Sequence, residues 1–212
     1  FGAIAMGNAA ADTILKDRLL DAGAIDALIH TGTSGVDTRT KLGRETKRSI
    51  AYSLCNLLAG ASHRSAVVES GGLDLIVSLG QVQTSPNSCG REEHRSGDLT
   101  ASLATTRNLA TSSPEYRERI ASAGALDVIA LGIKRQLDFS RRQESPSSGD
   151  TCSHLPFPYL QDACSIMHSL SLNERTKLSL LKHSCVMKNA TALLLFTPRG
   201  GLDTSVPSAT EE

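Results

Sequence analysis

SLATTRNLATSSPEYRERIASAGALDVIA, residues 102–130, contains one structural unit with its parts in order. It opens as an alanine-rich helical run that closes on Asn108. Ser113 then offers a side-chain oxygen to the free amides of a following helix. Pro114 and Glu115 suit that helix's first turn, where a missing N–H costs nothing and a carboxylate complements the helix dipole. The short helix stops at Gly124, a residue that tolerates the left-handed backbone of a sharp turn, and ALDVIA resumes with apolar residues at helical spacing.

The same order recurs along the chain. AIAMGNAAAD (3–12), IAYSLCNLLAG (50–60) and CSIMHSLSLNE (164–174) repeat the first part. AGAIDALI (22–29), SGGLDLIV (70–77) and a blurred HSCVMKNATALL (183–194) repeat the second. From Asn8 to Gly23 and from Asn56 to Gly71 is 15 residues; from Asn108 to Gly124 and from His168 to Ser184 is 16. The distance between units grows instead, from 48 to 52 to 60 residues. Extra length is thus confined to the connection after each Gly-led helix, where a surface loop lengthens at little entropic cost. A fixed register with variable loops predicts stacked helical units, each burying its apolar face on its neighbours. Asp12, Ser62, Ser113 and Asn173 are the expected caps, and Gly23, Gly71, Gly124 and Ser184 the expected stops, with the last unit divergent.

Composition agrees. Aromatic residues are only 3% and Trp is absent, so Leu, Ala and Ile must build the core. Positive and negative side chains balance at 22 each, which provides no global field for nucleic acid or acidic lipid. No apolar run approaches the roughly 20 residues of a membrane helix, and no signal-peptide pattern opens the chain, so no membrane insertion is expected. The chain starts in mid-helix at Phe1, which reads as a fragment of a longer protein. Cys55, Cys89, Cys152, Cys164 and Cys185 are an odd set, two of them in helical cores, and suit a reducing compartment: the cytoplasm, with the nucleus possible. Asn189-Ala190-Thr191 spells a glycosylation acceptor but lies in an apolar helical stretch, and is set aside. Segments 32–44, 83–98 and 135–158 are Gly/Pro/Ser-rich and polar and are expected to be inserted loops; 199–212 is expected to be a disordered tail.

A unit of cap, short helix, Gly turn, apolar helix, loop and long Ala-rich helix with a late Asn resembles the armadillo repeat, over residues 1–198. The turns Ala22-Gly23-Ala24-Ile25, Ser70-Gly71-Gly72-Leu73 and Ala123-Gly124-Ala125-Leu126 carry the resemblance, with Asn8, Asn56 and Asn108 closing the third helices. Length alone would also fit a HEAT repeat; the Gly-small-Ile/Leu turn separates the two. The resemblance implies an all-α, right-handed α-solenoid of about four to five three-helix units: 1–11 (partial), 12–60, 61–111, 112–172 and 173–198 (partial). It also implies that the third helices line a concave groove in which the late Asn clamps an extended peptide.

Helical spacing places Ile4, Tyr52, Ala104 and Cys164 one turn before the ladder residues Asn8, Asn56, Asn108 and His168. Importin-type relatives would carry Trp there, and this chain has none. Ala5, Ser53, Thr105 and Ser165, three residues before the ladder, are small and expected to leave the groove open, and Lys47, Arg48 and Arg107 are too few to demand an acidic ligand. The candidate groove is therefore Asn8, Tyr52, Asn56, Ala104, Asn108, Cys164 and His168. The alternative is that the asparagines hydrogen-bond neighbouring backbone within the stack.

Other chemistry is thinly represented. Cys152, His154, Cys164, His168, His183 and Cys185 form no pair of zinc knuckles, so no metal and no cofactor is expected. No nucleophile elbow, phosphate loop or carboxylate pair appears, so no enzyme activity and no small-molecule substrate is expected. Ser145 follows Arg141-Arg142 and precedes Pro146, a candidate phosphorylation site. The expected function is a non-catalytic scaffold or adaptor holding a partner's peptide or helix. The alternative is a regulator, of exchange-factor type, of the nucleotide cycle of a small GTPase or Hsp70; an importin-like receptor is disfavoured by the absent tryptophans.

Overall fold

A computed structural model describes residues 2–34, 36–37, 40–58, 60–81, 92–143 and 158–195. Among them are twelve helices and no strand: α1 Gly2–Ala9, α2 Thr13–Asp21, α3 Ala24–Thr33, α4 Lys41–Leu57, α5 Ala61–Glu69, α6 Gly72–Gln81, α7 Glu92–Ala110, α8 Pro114–Ser122, α9 Ala125–Gln143, α10 Pro158–Ser171, α11 Glu174–Lys182 and α12 Ser184–Leu194. Helix α4 lies against α1 and α7, and α7 against α10; α6 lies against α3 and α9, and α9 against α12. One apolar core runs through these contacts, from Ile25 and Leu28 through Leu54, Ile76 and Leu103 to Ile129, Ile166 and Val186. No described helix is long and apolar enough to cross a membrane.

Caps set most of the boundaries. Asp12 accepts from the amides of Ile14 and Leu15, Ser113 from Glu115, and Asn173 from Arg175 and Thr176. Ser62 is not a cap: α5 starts one residue earlier, at Ala61, behind an extended Gly60 that brings no side-chain oxygen. Gly23, Gly71 and Gly124 take φ of 72°, 80° and 86°, the left-handed stops expected of them. Ser184 is no such stop. Without a glycine, the last turn bends at an extended His183, whose Nδ1 accepts the Val186 amide and caps α12.

The loops are shorter than composition suggests. Helix α3 runs to Thr33 and α4 begins at Lys41, inside the expected loop 32–44, because Thr40 accepts the Gly43 amide as a cap. Helix α7 already starts at Glu92, and α9 continues to Gln143 because Ile133 and Leu137 keep a buried stripe going through charged sequence. Residues 83–91 and 144–157 of the expected loops, with Ser145 among them, Phe1 and the tail 199–212 lie outside the described residues.

Two seams share one device. Ser53 Oγ of α4 lies 2.6 Å from the Ala3 carbonyl of α1 and 2.7 Å from the Ser49 carbonyl of its own helix, two acceptors that share its one proton, and a Cβ on Gly7 would meet that Oγ at 2.8 Å. Ser102 of α7 donates to the Ile76 carbonyl of α6 (2.8 Å), and a Cβ on Gly80 would meet its Oγ at 2.8 Å. In each case the glycine stands four residues after the accepting carbonyl. A side chain there would cover the oxygen's second lone pair; its absence lets a fully buried hydroxyl reach it. Glycine inside a helix costs about 1 kcal/mol, here set against a buried hydrogen bond and close helix approach.

Nothing lies within 4 Å of a Cβ built on Gly71, so backbone conformation alone should resist substitution there. Gly71→Ala is expected to lower unfolding free energy by about 1 kcal/mol, and Gly71→Asn by less. Urea denaturation checks this; equal stability of both variants and the parent would contradict it.

Candidate functional site

The long helices α1, α4, α7 and α10 adjoin in sequence order, which brings their ladder residues onto one run of neighbouring helices. Between α1 and α4 lies a shallow depression of about 300 Å³ lined by Ile4, Gly7, Asn8, Ser49, Tyr52, Ser53 and Asn56. Three of the expected groove residues, Asn8, Tyr52 and Asn56, meet here, and the other four do not. Ile4 and Tyr52 stand 51% and 45% exposed, large apolar surface left at the rim of a tightly closed seam.

The asparagines differ in what they hold. Asn8 is exposed, and its side chain makes no hydrogen bond among the described residues. Asn56 donates from Nδ2 to the Gly7 carbonyl of α1 at 3.0 Å, the within-stack role left open by the sequence. Asn108 is more fully committed: Oδ1 accepts from Arg107 Nη2 (3.3 Å) and Nδ2 donates to Cys55 Sγ on α4 (4.0 Å). A side-chain amide has two donors and one carbonyl oxygen. Each thus keeps one N–H; Asn56 also keeps its oxygen free, whereas the Asn108 oxygen already carries the bond from Arg107.

Of the residues three before the ladder, Ala5 is exposed, Ser165 is half-buried, and Ser53 and Thr105 are fully buried, Ser53 at the floor of the depression and Thr105 bonded to the Ala101 carbonyl of its own helix. Ala104 is half-buried, and Cys164 and His168 are exposed on α10. Among the described residues no three His, Cys, Asp or Glu side chains converge as a metal would require. Asn189, of the set-aside glycosylation triplet, donates to the Ala130 carbonyl (2.8 Å) and ties α12 to α9.

One polar residue escaped the sequence reading. Asp162 of α10 is 4% exposed and accepts from Arg107 Nη1 at 2.5 Å. Aligning the units sets it opposite Ile50 and Ser102, both buried, so a carboxylate at a core position was the available signal. Burial pushes the Asp162 carboxyl above its ordinary value, while the charge and hydrogen bond of Arg107 pull it back. Burial also pushes the Cys55 thiol up, against hydrogen bonding with Thr105 and the Arg107 charge.

No family model matches this sequence, and no curated protein does. Among solved structures the chain is similar to an engineered protein studied by the Northeast Structural Genomics Consortium, with a TM-score of 0.64 and 17% identity over 92% of this chain. The chain spans 66% of that protein's length. Identity this low speaks to the all-helical fold alone.

Removing Arg107 would strand the buried Asp162 carboxylate. Arg107→Met is expected to cost about 2 kcal/mol at neutral pH, less than a fully buried pair because the guanidinium reaches water. Without Arg107 nothing pulls the Asp162 carboxyl back and it rises further, so the loss should shrink as pH falls through the variant's higher value and the stranded carboxylate takes up a proton. Urea midpoints at pH 7 and pH 5 test this; a pH-independent loss would contradict it.

Proposed function

We propose that this chain is an armadillo-like, right-handed α-solenoid acting as a non-catalytic scaffold, and that it binds an extended peptide or helix of a partner protein on its long-helix face. The observation that carries the reading is the α1–α4 depression, where exposed Ile4 and Tyr52 adjoin the uncommitted amide of Asn8 and the half-committed amide of Asn56. Apolar rim and amide floor suit a neutral peptide, whose side chains seek the first and whose main chain seeks the second. The Gly7 carbonyl fixes the Asn56 amide plane, so its remaining oxygen and N–H meet a ligand pre-oriented.

The recurring order of short, apolar and long helices, with three left-handed glycine turns, supports the solenoid reading. Because Asn108 is bound to Arg107 and Cys55, the proposed clamp is confined to the Asn8–Asn56 stretch and does not run along the whole ladder. The odd cysteine set goes with a reducing compartment, cytoplasm or nucleus.

Peptides selected from a random library against the parent chain provide the test, with affinities read by fluorescence anisotropy. Tyr52→Ala and Asn8→Ala are expected to weaken them about tenfold each, while Leu42→Ala, an exposed residue outside the depression, leaves them unchanged. Selected peptides indifferent to both groove variants would overturn the reading.

A further inference from the structure

Three residues beyond each turn glycine stands an aspartate: Asp26, Asp74 and Asp127. The first and third are tied to the residue that ends the short helix of the next unit. Ser70 Oγ donates to Asp26 Oδ1 at 2.7 Å, and His183 Nε2 lies 3.1 Å from Asp127 Oδ1. His183 Nδ1 accepts the Val186 amide, so its ring proton sits on Nε2 and points at Asp127. These bonds are rungs joining successive units at their turns.

The middle rung lacks its donor. The counterpart of Ser70 and His183 is Ala123, whose side chain has no polar atom to offer, and the exposed Asp74 side chain makes no hydrogen bond or ion pair among the described residues. Ala123 has nearly the backbone of Ser70, φ −73° and ψ −2° against φ −78° and ψ 4°, so the rung is missing for want of a side chain and not of a turn. In its place a depression of about 250 Å³ opens between α5–α6 and α8, lined by Val68, Leu73, Asp74, Arg119, Ser122 and Ala123. Arg119 on its rim lies 3.8 Å from Glu115 of its own helix, and among the described residues no ion pair joins it to Asp74. None of the six residues belongs to the long helices, so this place is separate from the proposed peptide groove.

We propose that this unfilled rung is a docking point for a lysine or arginine side chain of a partner protein. The cationic head takes the position that Ser70 Oγ and His183 Nε2 hold in the other rungs, on the Asp74 carboxylate. The methylene stem crosses the depression between α5–α6 and α8, which suits long basic side chains that bury their stems and keep their heads polar. The space left by Ala123 admits the head.

Nuclear magnetic resonance titration of the full chain with acetyl-Gly-Arg-Gly-amide at low salt tests this, with acetyl-Gly-norleucine-Gly-amide as the uncharged control. The expected result is saturable shifts of the amides of residues 73–74 and 119–123 with the arginine probe alone. Asp74→Asn should weaken the arginine probe about tenfold, the worth of a charge-assisted hydrogen bond. Ala123→Ser, which restores the rung, should weaken it similarly and raise the thermal midpoint; it keeps the test readable if Asp74→Asn fails to fold. Absence of saturable shifts at these amides, equal response to the norleucine probe, or unchanged affinity in both variants would overturn the proposal.

Discussion

The structure depends on how closely one helix can approach another's backbone. Gly7 and Gly80 each leave a helix carbonyl uncovered, and Ser53 and Ser102 each place a buried hydroxyl on it. This hydrogen bond is possible only at near contact of the two helices, so it fixes register as well as distance. A methyl group at either glycine would press on the serine oxygen at 2.8 Å and turn that hydroxyl off its carbonyl. Poor helix formers at these points are therefore a requirement of the stack.

The candidate groove follows from the first of these seams. With Gly7 and Ser53 closing the contact from below, the next positions out, Ile4, Asn8, Tyr52 and Asn56, are left around a shallow depression. Further along, the Arg107–Asp162 pair and the Arg107–Asn108–Cys55 links tie α10, α7 and α4 together and spend the side chains that would otherwise greet a ligand. The same ladder thus has a holding end and a fastened end. Asp162 makes the fastened end conditional, since a buried carboxylate is tolerable there only with the guanidinium in place.

Much of this was legible in the sequence where local backbone chemistry decides the outcome. Asp12, Ser113 and Asn173 cap as their side chains dictate, and Gly23, Gly71 and Gly124 turn as only glycine readily does. Where packing decides, composition misled. Charged residues 134–143 resemble a loop yet continue α9, because Leu137 keeps the buried stripe. Thr105 resembles groove floor yet is fully buried, while Ser53 floors the depression and also bonds across the seam. Asn56 bonds to Gly7 of another helix, a pairing no spacing rule within α4 could reveal. The last turn shows both sides: the missing glycine at Ser184 announced divergence, but not that His183 would supply bend, cap and rung together.

The most direct test of the seam is a cross-link. A Cβ on Gly7 would lie 3.7 Å from Ser53 Cβ, within the span of a disulfide. Oxidation of the Gly7→Cys, Ser53→Cys double variant, read by peptide mapping with mass spectrometry, is predicted to join residues 7 and 53 in nearly every molecule with helicity retained. A folded, helical double variant in which these two residues stay unlinked would contradict the close α1–α4 register on which the groove rests.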